Sequence, residues 1–284
     1  AQDEIKLLRN LQALIGVRYI YHENFKNHAT PNVALMYKPG KFNFRASYAA
    51  GFRTPTLSEL YATDIAKKND RLTIGNLDLK PEKNNYFSLS AEYVHERFSV
   101  SVNAFYNNIR DMIDYNTIAT GDKAMEQYGH KEVRQRDNIA EAKVHGINVS
   151  ANAYLGAGFN LSGGYTHLNT QDVELEQPID KSIKNAYNIN AQWAHSWKIY
   201  RLNINLNGRF NSKRFSKSYG YAPEYQLWDL NTRHSFNLKS VIIEPGCGME
   251  NLFDYMDDRP YNSNYATLTP GRSFYISLSL KFKS

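Results

Sequence analysis

One cysteine, Cys247, occurs in 284 residues, so the chain has no intrachain disulfide framework. No run of about 18 apolar residues exists, which excludes a helical membrane protein. The signatures of common chemistries are missing too. There is no Gly-x-Ser-x-Gly elbow, no His-Glu-x-x-His, no Walker loop and no cysteine pair. Acidic neighbours such as Asp111 and Asp114, or Asp257 and Asp258, read as loop charges, and no enzyme activity is expected. The net charge of +6 comes without a compact basic-aromatic module, so nucleic acid is not an expected partner. No export leader opens the chain. Ala1-Gln2-Asp3-Glu4 leads straight into a strand pattern, so the numbering is expected to start in a mature chain or part-way through a longer one.

What the chain has in abundance is aromatic residues: 21 Tyr, 14 Phe and 3 Trp. Tyrosine in excess suits a ring placed half in lipid and half in water. Mean hydropathy is -0.59, yet this does not argue against a membrane barrel, whose strands expose an apolar residue only at every second position. That alternation recurs from end to end. Phe87, Leu89 and Ala91 alternate with Ser88, Ser90 and Glu92; Leu202, Ile204 and Leu206 alternate with Asn203, Asn205 and Asn207. Near the C-terminus Phe274, Ile276, Leu278, Leu280 and Phe282 form one face. The other face is rich in Asn and Ser, as a wet interior requires.

The pattern predicts about twelve strands, at 8–22, 31–38, 41–52, 84–96, 98–115, 138–155, 158–170, 184–197, 200–212, 225–237, 240–253 and 271–283. Their joints alternate in length. Short turns fall at 38–41, 95–97, 155–158, 197–200 and 237–240; longer loops fall at 23–30, 53–83, 116–137, 171–183, 213–224 and 254–270. Tight turns on one rim and long loops on the other are the habit of outer-membrane barrels. The fold expected is therefore all-β, a transmembrane antiparallel β-barrel, with the last strand descending and the long loops outside.

The longest loop is bounded by two recognisable stretches. Phe52-Arg53-Thr54-Pro55-Thr56-Leu57-Ser58-Glu59-Leu60-Tyr61 opens it, and Gly75-Asn76-Leu77-Asp78-Leu79-Lys80-Pro81-Glu82 closes it. The pair resembles the FRAP and NPDL boxes of TonB-dependent outer-membrane receptors. Gly248-Met249-Glu250-Asn251-Leu252-Phe253-Asp254 is similar to that family's penultimate strand. Pro270-Gly271-Arg272-Ser273-Phe274-Tyr275 is similar to the lead-in to its final strand. The second box departs from the pattern by having Leu77 where proline is usual, and Lys283-Ser284 follow Phe282 where the family usually ends on an aromatic.

The resemblance implies a barrel of about 22 strands with a plug inside it. This chain would supply about the last twelve strands, as a single barrel portion over 1–284, without the plug. It further implies a bacterial outer-membrane location and import of a scarce iron or metal complex. Haem is the first expectation, then a siderophore or cobalamin, carried as ligand rather than held as a tightly bound cofactor. The implied partners are outer-membrane lipid, the rest of the receptor with its plug, and the inner-membrane TonB complex. A surface lipoprotein has room among the long loops. The alternative is a complete twelve-stranded passive pore, since about twelve strands could close on themselves.

Candidate site residues lie on the boxed loop: Phe52, Arg53, Thr54, Pro55, Glu59, Tyr61, Asn76, Asp78, Leu79 and Pro81. Arg53 could grip an anionic ligand group through paired hydrogen bonds, or tie the loop down by bonding Glu59 or Asp78. Pro55 and Pro81 fix φ at the loop's feet, and Asn76 and Asp78 can bond nearby backbone. Residues 56–74 contain no histidine where haem receptors place one. Tyr61, His130 and His28 are the remaining candidates for a haem ligand. No metal-ligating set is evident. His145, His167, His195 and His234 are expected to pack or line the lumen. Tyr115, Tyr128, Tyr219, Tyr221, Tyr225, Tyr255, Tyr261 and Tyr265 form an aromatic population among the outer loops, suited either to a flat ligand or to loop packing.

Overall fold

The computed structural model describes residues 2–216, 220–257 and 270–283. Strands β1 (Gln2–Leu8), β2 (Leu11–His22), β3 (Lys26–Tyr37) and β4 (Phe42–Arg53) begin the wall. The longest loop follows, with helix α1 (Leu57–Tyr61) and the hairpin of β5 (Thr63–Ala66) and β6 (Arg71–Ile74). Next come β7 (Glu82–Val94), β8 (Phe98–Thr120), helix α2 (Gly121–Tyr128), β9 (Glu132–Gly156), β10 (Phe159–Asp172), β11 (Asn185–Trp197) and β12 (Tyr200–Asn211). A small hairpin, β13 (Arg214–Ser216) and β14 (Gly220–Ala222), precedes β15 (Tyr225–Asn237), β16 (Val241–Glu250) and β17 (Ser273–Phe282).

The wall is one antiparallel meander in the order β1-β2-β3-β4-β7-β8-β9-β10-β11-β12-β15-β16-β17. Cross-strand partners share a face, so the register sorts the side chains. Leu35, Ala46 and Leu89 fall on one side; Ser47 and Ser88 fall on the other. The apolar side is open, with Ile276 88% and Leu278 66% exposed, as lipid-facing residues must be. The polar side is bonded across the strands. Ser47 meets Ser88 at 2.7 Å, Ser101 meets Ser150 at 2.7 Å, and the Asn190 amide donates to Asn205 Oδ1 at 2.7 Å.

Three expectations are corrected. First, the path has thirteen strands where the sequence suggested about twelve. The extra strand is β1, a short charged segment that pairs Gln2 with Gly16 and Lys6 with Gln12. It turns at Arg9-Asn10, and the apolar spacing of 8–22 had run over that turn. Second, 23–30 is no long loop. β2 and β3 pair up to His22 with Lys26, whose φ of 64° closes a tight hairpin. Pro31 hid this, because proline demotes a strand. It is tolerated because β3 pairs with β4 only from Asn32 onward. Third, the closed twelve-stranded pore is not the structure. Among the described residues β1 pairs only with β2 and β17 only with β16.

The outer ends of β8 and β9 run well past their expected limits, to Thr120 and from Glu132, with α2 at the tip. Segments such as Asp114-Tyr115-Asn116-Thr117 have no lipid face to maintain, so alternation did not reveal them. The loop expected at 254–270 lies largely outside the described residues, as do Tyr219, Tyr261, Tyr265 and Asp258.

Candidate functional site

The boxed loop is a built ledge on the outer rim. Thr56 caps α1: its hydroxyl accepts the Glu59 amide at 3.2 Å, and its own amide donates to Glu59 Oε2 at 2.8 Å. This reciprocal box satisfies donors that a five-residue helix would otherwise leave bare. Glu59 is thereby aimed at Arg53. The guanidinium donates from Nη1 to Glu59 Oε2 at 2.9 Å, from Nε to Glu82 Oε2 at 2.7 Å and from Nη2 to Glu82 Oε1 at 2.6 Å. The planar fork therefore clamps two carboxylates, one from each foot of the loop. Of the partners considered from sequence, Glu59 is present and Asp78 is not; Glu82 takes its place. Burial pushes Glu59 up, but its bonds from Arg53 and Thr56 outweigh that and hold it below 4.5.

Apolar packing sits beneath the fork. Leu60, Leu79 and Ile113 are buried together, and Phe25 from the β2–β3 turn packs against them. Pro55 and Pro81 are buried at the two feet. Gly75 has room for no side chain, since a Cβ there would lie 2.5 Å from the Leu60 carbonyl oxygen. The Asn76 side chain accepts the Asp78 amide at 2.9 Å, the local turn bond its position suggests. Thr54 is half-buried beside these feet.

The ledge is also stitched to its neighbours. β6 runs parallel to the outer part of β9, pairing Leu72 with Val133. Asn138 accepts the Lys80 amide at 2.7 Å and donates to the carbonyls of Lys80 and Asp111 at 2.9 and 2.6 Å. Glu82 Oε1 accepts the Ile113 amide at 2.9 Å. Asn138, Ile113 and Phe25 were not singled out by sequence, and Glu82 entered only as the last residue of the closing box, with no role. Each acts through a partner far along the chain, and only strand register brings the two together.

Two of the three haem-ligand candidates, His28 and His130, are held by protein groups. His28 bonds the Phe25 carbonyl through Nε2 at 2.8 Å and stacks on Phe52 at 4.4 Å. His130 bonds Asp70, in the turn of the β5–β6 hairpin, at 2.9 Å. Tyr61 is 63% exposed. Among the described residues no cluster of three His, Cys, Asp or Glu side chains is arranged to hold a metal. His195 and His234 lie on the apolar face, not in the lumen. His195 stacks on Trp193 at 5.9 Å, and His234 meets the Tyr200 hydroxyl at 2.7 Å. His145 and His167 bond Asn169 and Asn185 across the strands.

The outer tyrosines are partly engaged as well. Arg136 lies 3.6 Å over the Tyr115 ring, and Tyr225 stacks with Tyr255 at 5.6 Å. The two C-terminal motifs meet in one turn. Asn251, buried and at φ 52°, donates to the Tyr255 carbonyl at 2.7 Å and the Pro270 carbonyl at 3.2 Å. Asp254 accepts the Arg272 amide at 2.6 Å.

A protein-family model described as TonB dependent receptor-like, beta-barrel, matches residues 1–252. Among solved structures, the siderophore receptor PirA of Pseudomonas aeruginosa is similar at TM-score 0.73 and 17% identity, over 100% of this chain and 47% of that one. The ferric enterobactin receptor PfeA of the same organism, in complex with BCV-L6, gives 0.79 and 19%, over 99% and 44%. The ferric preacinetobactin receptor BauA of Acinetobacter baumannii gives 0.71 and 18%, over 99% and 42%. The chain thus spans less than half the length of the structures it matches.

Proposed function

The chain belongs to the TonB-dependent receptor β-barrel family, and from that premise we propose that it forms one side of an uptake receptor for a ferric siderophore. Membership makes it an outer-membrane β-barrel chain of a transport family and not an enzyme. The observation that carries the reading is the ledge itself. A loop of some length, clamped by Arg53 between Glu59 and Glu82 and stitched to β8 and β9, holds a firm surface on the outer side. Ligand capture requires such preorganisation, because a loop ordered only on binding weakens affinity.

The ligand class rests on the similar structures, whose names refer to siderophores, ferric enterobactin and ferric preacinetobactin. Haem and cobalamin fall behind. Two of the three haem-ligand candidates, His28 and His130, already bond protein groups. On the same reading residues 1–284 are wall throughout, a plug fills the barrel, and an inner-membrane TonB complex supplies energy.

The test is titration of the intact receptor with ferric enterobactin, ferric preacinetobactin and haem, followed by tryptophan fluorescence and the Soret band. Saturable quenching by a ferric siderophore, with iron uptake that stops when the TonB complex is inactivated, is expected. Saturable haem binding with a Soret shift, and no response to either siderophore, would overturn the proposal.

A further inference from the structure

The short turns of the inner rim carry a charge pattern that ligand capture does not use. The β1–β2 turn holds Arg9, the β3–β4 turn Lys38 and Lys41, the β7–β8 turn Arg97, the β11–β12 turn Lys198 and the β15–β16 turn Lys239. All six side chains are exposed. Among the described inner-turn residues one carboxylate, Glu96, accompanies them. The outer loops are balanced by contrast: residues 54–81 hold four bases and four carboxylates, and 121–131 hold two of each. The excess of positive charge is therefore a property of one rim.

These cations are interleaved with rings on the lipid side. Four are immediate chain neighbours of an exposed aromatic: Lys38 of Tyr37, Lys41 of Phe42, Arg97 of Phe98 and Lys198 of Trp197. Register places Trp197 opposite Tyr200 and Tyr200 opposite Phe236, on the face that carries Ile204 and Leu206. Trp197 and Tyr200 stack at 5.5 Å. Such rings settle at headgroup depth. An ammonium one residue beyond them reaches the plane of the lipid phosphates, and long basic side chains extend readily to it.

We propose that the inner rim is a binding belt for anionic phospholipid headgroups of the inner leaflet, with the turn cations on the phosphates and the rings at the acyl boundary. The adjoining surface is lipid-facing wall rather than lumen, which favours a lipid over an acidic periplasmic protein. Each base near an anionic surface changes affinity about fivefold.

The intact receptor, reconstituted with phosphatidylcholine and phosphatidylglycerol at four to one and then released into detergent, is read by native mass spectrometry for retained lipid. Wild type is expected to keep phosphatidylglycerol several-fold over its share, and Lys41→Gln with Lys198→Gln to bring its retention most of the way back to that share. Retention that follows the bulk ratio, or a preference unchanged in the double variant, overturns the proposal. So does displacement of the retained lipid by inorganic phosphate, which would mark a free-anion site. Loss of an acidic periplasmic partner in the variant, with lipid preference intact, assigns the belt to a protein and equally overturns it. Neither lysine touches the outer ledge, so siderophore binding should persist in the variant. Its failure in wild type would count against the uptake reading alone.

Discussion

Arg53 joins the two feet of the longest outer loop, and both of its partners are carboxylates. Arg53→Ala therefore removes the clamp and leaves Glu59 and Glu82 with uncompensated charge. Because the Arg53 side chain is 42% exposed, water screens the loss, and the expected cost is about 1–2 kcal/mol of local loop stability. Hydrogen exchange on the intact receptor should show faster exchange at the amides of Ala62, Gly75 and Asn76, with the wall strands unchanged. Arg53→Lys should recover little, since a point charge cannot match the fork. Acid has a related effect through Glu59. Its folded value lies below 4.5, so its contribution is complete above that pH and is lost as pH falls through the lower, folded value. As pH falls below the ordinary carboxylate range the loop should become protease-sensitive before the wall does. Glu59→Gln should flatten that dependence. The Arg53–Glu59 pairing was legible because both lie in one box, six residues apart. Glu82 was not, because its closeness to Arg53 depends on the pairing of β4 with β7, in which the two residues are direct partners.

Among the elements, those that cross lipid were the ones legible in advance. Alternation located β7, β11, β12 and β15 closely, since a lipid face imposes a period of two. Where the chain leaves lipid the constraint lapses. The outer thirds of β8 and β9, the β5–β6 hairpin and both helices were accordingly unseen. These outer elements depend on side-chain bonds instead, and Asn138 is the strongest case. It serves the amide and carbonyl of Lys80 and the carbonyl of Asp111, joining the boxed loop to two neighbouring strands. Asn138→Ala strands a backbone donor and two acceptors in a half-buried place, a cost of about 1–3 kcal/mol. Limited proteolysis should then cut within residues 62–80, while Asn138→Asp, which keeps the acceptor for Lys80, should be cut less. Equal resistance of Asn138→Ala and wild type would show that the parallel β6–β9 pairing holds the ledge unaided.

For the molecule as a whole, the decisive feature is the pair of free edges. Among the described residues thirteen strands follow one another without a break, and β1 and β17 each pair with a strand on one side only. In hydrocarbon every unmet N–H and C=O costs several kcal/mol, so a spanning sheet must close. Two closures are conceivable: β1 onto β17, or each edge onto further strands. The solved receptors similar to this chain are more than twice its length, which supports the second. Residues 1–284 expressed alone and refolded with lipid vesicles should then fail to give a compact, heat-modifiable band in gel electrophoresis, and protease should degrade them. Supplying the remaining strands as a separate chain should restore both the band and the protection, because each edge would recover a full ladder of backbone bonds. If the lone chain proved compact and protected in lipid, its two edges would have to pair with each other, and the small-pore reading would return.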